Sequence, residues 1–364
     1  MPSRNRAAVA KCGIERRGQR HAFAMRHYAR QLSGVLICAF GLAISMPAAA
    51  DPADLAALKK KYERPPASED TQHAISVASI VLGSKLFVEK QLSLNGNVAC
   101  SSCHDPKAGF ADHNAKSKGD GSILTRRRTP TLIGVAWQSS FGWDGGHPTL
   151  EDMVMSPIRN HEEMNLTIDG AVARLAASPV YGKLFASAFP AQGVSAETIA
   201  ISLANFLRSR RPPASRFDNW IDGDETALSA VEKRGFLVFN GAGECAACHS
   251  GWRFTDDGFH DIGLADESDL GRGAILPQIA SMAHAFKTPT LRSIADRAPY
   301  MHDGSLKTLE DVIAHYEKGG IQRASRSADM HPLKLSPGDK SDLMAFLQSL
   351  SPDPGHSKRE QRTP

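Results

Sequence analysis

Apolar residues in this chain recur at helical spacing far more often than at alternate positions. In "SAETIAISLANFLRSR", Ser195 stands as an N-cap, and Ile199, Leu203, Phe206 and Leu207 form one stripe, which predicts an amphipathic helix. "SPGDKSDLMAFLQSL" places Pro337 in the first turn and brings Leu343, Phe346, Leu347 and Leu350 onto one face. "ALSAVEKRGFLVFNG" carries a third such stripe. "TLEDVIAHYEKGG" begins with Thr308 as a cap and Asp311 at the third helical position, so Leu309, Val312, Ile313 and Tyr316 share a face. No long alternating strand pattern is present. Long loops containing Gly and Pro separate the stripes. The pattern predicts an all-α chain whose loops wrap something other than a side-chain core.

The first 50 residues follow another rule. From Met25 the chain runs through basic residues, then an apolar stretch, then small residues ending at Ala50. This is the three-part order of a secretory signal peptide, with cleavage expected after Ala50 and export to the periplasm. The apolar stretch is short for a membrane span. Residues 1–50 hold eight Lys and Arg and one Glu, so the +4 of the whole chain becomes −3 for the remainder. The basic character belongs to the leader, so nucleic-acid binding has no support and is not expected.

Six cysteines sharpen the picture. Cys12 and Cys38 lie in the leader, and the other four form two C-x-x-C-H motifs, Cys100-Cys103-His104 and Cys245-Cys248-His249. No cysteine remains for a disulfide framework. A redox dithiol would need a βαβ context, and a zinc site would have to join motifs 145 residues apart. Covalent c-type haem accounts for the histidine in each motif. The two thiols form thioethers to the porphyrin, and the next residue becomes the proximal iron ligand. Two such haems are expected, held by Cys100, Cys103 and His104 and by Cys245, Cys248 and His249.

The halves are also repeats. "TPTL" occurs at 129–132 and 288–291, Asp-Gly follows at 144–145 and 303–304, and "TLED" at 149–152 and 308–311. The three features keep identical spacing, which indicates a duplicated unit. Leu309 plus seven is Tyr316, and Leu150 plus seven is Pro157. One helical position thus carries a phenol that can bind iron in one half and a proline that cannot in the other.

The stretches "LGSKLFVEKQLSLNGNVACSSCH", "RRTPTLIGVAW", "FGWDGG", "PIRNHEEMN", "RGFLVFNGAGECAACH", "FKTPTLRSI" and "APYMHDGSLKTLEDVIAHYEKGG" together resemble the bacterial di-haem cytochrome c peroxidase and MauG family. The resemblance implies two cytochrome-c-like domains, each with one covalent haem. We place them at 51–211 and 212–350, with 210–224 as the linker between them and a flexible tail over 351–364. It implies that hydrogen peroxide is reduced at the first haem. Electrons then come through the second from a small redox protein, a cytochrome c or a cupredoxin. One alternative is a MauG-like oxidase that modifies an unknown protein substrate through high-valent iron, and another is a di-haem electron carrier.

By the same resemblance, Glu163 matches the distal glutamate, Pro157 the pocket proline and Trp143 the inter-haem tryptophan. Read from the residues alone, Glu163 is one of two adjacent carboxylates at a helix end, with Glu162, and Trp143 is a core residue. The distal histidine of many relatives is replaced by Asp120, with His113 nearby, so an open first haem without reductive activation is expected. The sixth ligand of the second haem is expected to be Tyr316, with Met301, Met282 and Met330 as alternatives. Met153 replaces the family's pocket glutamine. Arg128 replaces an asparagine that binds calcium between the haems, which leaves calcium open. Gly243 replaces a surface tryptophan of MauG, which argues against methylamine dehydrogenase precursor as partner.

Overall fold

The computed structural model describes residues 52–66, 75–265 and 267–352. The expected leader, its cleavage point and the tail beyond residue 352 lie outside the described residues. Among the described residues no helix is long and apolar enough to cross a membrane. The chain is mostly helical. Among the described residues one sheet pairs two short strands, β1 (Phe259–His260) and β2 (Phe286–Lys287), antiparallel.

Nearest the N-terminus comes α1 (Pro52–Lys60), then α2 (Val77–Phe87), the short α3 of the first motif (Cys100–Cys103), α4 (Leu150–Arg159), α5 (Ile168–Ala177), α6 (Pro179–Ala188) and α7 (Ala196–Arg208). The predicted cap and stripe of α7 are present: the Ser195 hydroxyl accepts from the Thr198 amide, and Ile199, Leu203, Phe206 and Leu207 are buried. The first core joins these to Leu82, Leu86 and Phe87 of α2. Gly83 sets how closely α2 crosses α7, because a Cβ there would lie 1.9 Å from the Ser202 carbonyl oxygen.

The second core is aromatic. It gathers Phe217 and Trp220 of α8 (Arg216–Ile221), Phe236 and Phe239 of α9 (Ala230–Asn240), Phe254, Leu309 and Ile313 of α10 (Leu309–Lys318), and Leu343, Phe346 and Leu347 of α11 (Pro337–Ser349). The glycine crossing recurs, since a Cβ on Gly235 of α9 would lie 2.0 Å from the Asp342 carbonyl oxygen in α11.

Two features depart from the expected organisation. The span read as a linker contains α8, with Phe217, Trp220 and Ile221 buried. Asp218 of α8 receives Arg292 through both carboxylate oxygens at 2.7 Å. The N-terminal segment, expected in the first domain, packs on the second core through Leu55, Leu58 and Tyr62. The Tyr62 hydroxyl donates to Asn240 at 2.7 Å. The Arg-Arg-Pro-Pro opening of 210–224 reads as a linker, but the apolar residues beyond it find a core already built by α9 and α11.

The repeat is visible as structure. Thr149 and Thr308 each cap a ten-residue helix, α4 and α10. The halves also clasp reciprocally. The Arg128 amide donates to the His302 carbonyl at 2.7 Å, and the Lys287 amide, one repeat later, donates to the Trp143 carbonyl at 2.8 Å.

Candidate active site

Each C-x-x-C-H motif lines its own cavity. The first cavity, about 450 Å³, brings Cys100, Cys103 and His104 together with Trp143, Pro157 and Glu163. The second, about 180 Å³, brings Cys245, Cys248 and His249 together with Tyr316, Met301 and Met330; Met282 is not on its wall. The repeat fixes which helix face each cavity sees. Leu150, Met153, Val154 and Pro157 of α4 line the first, and their equivalents Leu309, Val312, Ile313 and Tyr316 of α10 line the second. The predicted stripe of α10 is therefore a cavity wall, with Tyr316 on it.

Both histidines are prepared as ligands in the same way. His104 Nδ1 lies 2.9 Å from the Phe110 carbonyl oxygen, and His249 Nδ1 lies 3.0 Å from that of Phe254. Donation from Nδ1–H leaves Nε2 as the lone-pair nitrogen, the arrangement of a metal-binding imidazole steered by its outer hydrogen bond. Burial pushes both imidazoles below their ordinary pKa, which keeps them neutral. The two phenylalanines share an unusual backbone: Phe110 and Phe254 both have φ of 54°. A bulky residue in the left-handed region costs on the order of 1–3 kcal/mol, so two equivalent cases mark a built feature. Sequence spacing alone did not reveal it.

The alternatives to haem lose ground on the same geometry. The motifs face separate cavities, so they cannot pair in one zinc site. Burial pushes the Cys100 and Cys245 thiols up to about 12 and Cys103 up to about 11, the reverse of an activated redox dithiol. Cys248, His260 and Asp329 do place ligand atoms within 4.8 Å of one another. His260, however, is held by Asp256 at 2.8 Å, and Cys248 faces the cavity with its motif partners.

Glu163 follows α4 and sits where Asn160 Nδ2 donates to its Oε1 at 2.7 Å. Burial raises its pKa above the usual carboxylate range, against the lowering effect of Asn160. The loop before it is tied down by the Asp120 amide, which donates to the Glu163 carbonyl at 2.6 Å. Gly119 permits that approach, since a Cβ there would lie 2.1 Å from the Glu162 carbonyl oxygen. Asp120 itself is buried, accepts from the Asn95 amide and is absent from the cavity wall. His113 is exposed and paired with Asp105. Two histidines not singled out from the sequence do line the first cavity, His161 and His147. His147 Nδ1 is held 2.7 Å from Asp152 Oδ2.

Residues 77–226 match the family described as di-haem cytochrome c peroxidase, and residues 232–351 match cytochrome c. The methylamine utilization protein MauG of Methylorubrum extorquens is 43% identical over 83% of this chain and 86% of its own length. The chain belongs to the di-haem cytochrome c peroxidase and MauG family. Cytochrome c551 peroxidase of Pseudomonas aeruginosa is 31% identical over 74% of this chain and 78% of its own. A solved MauG-like protein associated with microbial copper homeostasis superposes with a TM-score of 0.73 at 30% identity, over 80% of this chain and 94% of that one. This di-haem family member thus has two cytochrome-c-type domains with haem as cofactor. The paired thiols, the neutral histidine and the apolar walls of each cavity fit that group.

Proposed function

We propose that the chain is a periplasmic peroxidase that reduces hydrogen peroxide at its first haem and receives electrons through its second. The observation that carries this reading is the proline at the helix position that faces the first cavity, beside Glu163. Pro157 cannot bind iron, whereas Tyr316, which can, lines the second cavity. Bound in the first cavity through Cys100, Cys103 and His104, haem supplies the iron at which peroxide is cleaved with two electrons and two protons to two waters.

Glu163 supports that cleavage as a proton carrier. It takes the proton from one peroxide oxygen and returns it to the other, which leaves as water. A carboxyl with a raised pKa suits both halves of that task, since it gives up and takes back a proton more evenly than an ordinary carboxylate. Asn160 holds the carboxylate in place, and Met153 contributes an apolar wall where a glutamine would donate. Trp143 lies on the walls of both cavities and is positioned to pass electrons between them. With haem bound in the second cavity, Tyr316 would offer its phenol oxygen to the iron from the cavity wall. Burial pushes its phenol up, and the ferric charge is what favours the phenolate there.

A second reading, a MauG-like oxidase acting on a protein substrate, is favoured by that same Tyr316 and by the 43% identity to MauG. Steady-state peroxide consumption with a reduced cytochrome c or cupredoxin separates the two. Sustained turnover supports the peroxidase. Rapid reaction with peroxide but no turnover of either donor supports the oxidase.

A further inference from the structure

A third cavity, about 70 Å³, lies between the haem cavities and shares wall residues with each: Arg128 and Met153 with the first, Lys287 and Tyr300 with the second, Trp143 with both. Three cations face it. Arg128, Lys287 and Arg297 are buried, at 4%, 7% and 5% exposure. No Asp or Glu is on its wall.

Their hydrogen bonds all end on neutral oxygens. Arg128 Nη2 donates to the Asp112 and Arg297 carbonyls at 2.8 Å each, and Nη1 to the Thr129 carbonyl at 3.1 Å. Arg297 donates to the carbonyls of Ser293 and Thr290. Lys287 Nζ donates to Gln138 Oε1 at 2.6 Å and to the Ser140 carbonyl. The Nε–H of Arg128 is buried with no hydrogen-bond partner. Burial lowers Lys287 to about 8, and burial with the charge of Arg128 lowers Arg297 to about 9. Cations excluded from water without an anion in contact are costly, and such a cluster persists where an anion completes it.

We propose that this junction is the carboxylate site of the cofactors, in which haem propionates reaching in from both cavities pair with Arg128, Lys287 and Arg297. The three side chains then supply the positive charge that a divalent cation would bring. Calcium needs a cage of oxygen ligands, several of them anionic, and this wall offers cations instead, so calcium does not fit here.

The inference rests on the haem reading, so the test begins by confirming two haems per holoprotein by pyridine haemochrome absorbance and mass. Absence of haem would defeat that reading. With haems present, redox titration of Lys287→Gln and Arg297→Gln is expected to show a lower midpoint potential for at least one haem. A nearby cation favours the ferrous form, and Lys287→Arg should restore the potential. Wild-type holoprotein dialysed against EDTA should keep its potentials and contain no stoichiometric calcium. Unchanged potentials in both variants would overturn the proposal. So would stoichiometric calcium whose removal shifts the wild-type spectrum, a result that needs no variant to fold.

Discussion

Trp143 and His302 hold equivalent places in the two halves, each directly before an Asp-Gly pair, and their rings meet with centroids 6.4 Å apart and planes at 68°. Arg128 couples them through its backbone. Its carbonyl accepts from Trp143 Nε1–H at 2.7 Å, and its amide donates to the His302 carbonyl at 2.7 Å. Phe286 stacks on His302 with centroids 3.5 Å apart. The indole is thus held rigidly where the two halves join. Trp143→Phe is predicted to keep both haems and to slow electron exchange between them, followed by rapid-mixing spectroscopy after peroxide addition. An unchanged exchange rate would reduce Trp143 to packing.

Glu163→Gln removes the proton carrier and keeps the shape. Peroxide cleavage should slow by roughly 10²–10⁴-fold, the usual worth of a positioned acid–base group. The wild-type rate should fall as pH drops through the raised pKa of Glu163, above the ordinary carboxylate range, because the carboxylate is the proton acceptor. That acid limb should vanish in the variant. A persisting limb would place the titrating group elsewhere.

Tyr316→Phe should leave the second haem attached, since Cys245, Cys248 and His249 are untouched, and should convert that iron to high spin. Tyr316→Met should raise its potential and move the protein toward donor turnover. If Tyr316→Phe leaves the spectrum alone while Met301→Ala or Met330→Ala changes it, a methionine is the ligand and Tyr316 is a wall residue.

Asp218 anchors the second domain. Burial alone would raise its pKa, but the charges of Arg292 and Arg64 and the Ser215 bonds outweigh that and hold it below the usual carboxylate range. A folded-state pKa below the unfolded one gives stability that is present above the unfolded pKa and lost as pH falls through the folded one. Asp218→Asn leaves Arg292 buried without its charge partner and should cost about 3–5 kcal/mol, measured by denaturant unfolding. A cost near zero would show that Arg292 finds another anion.

The helices, the repeat and the chemistry of the motifs were legible because each is carried by local spacing. Caps at Ser195 and Thr308, the stripe of α10 and the two C-x-x-C-H motifs need no distant partner to be read. Where long-range packing decides, the chain gave no signal. Tyr62 and α1 join the second core because Phe217, Phe236 and Phe254 make an aromatic site there. The left-handed backbone of Phe110 and Phe254 follows from aiming a carbonyl at a histidine five or six residues earlier. Asp120 stands in sequence where relatives carry a distal histidine, yet it is off the cavity wall and one of its carboxylate oxygens accepts from the Asn95 amide, whereas His147 reaches the cavity by a bend that spacing does not show. Arg128 reads as a lost calcium ligand in one dimension and as part of a cation cluster in three.

Electron paramagnetic resonance of the as-isolated ferric holoprotein tests the central claim most directly, because it reads the axial ligands of both haems at once. One high-spin signal, from the first haem, and one low-spin signal, from the second, are predicted before any reduction, together with peroxide reactivity of the fully oxidised protein. Two low-spin signals and an oxidised protein inert to peroxide would contradict it, since the first iron would then carry a sixth ligand from its own cavity wall.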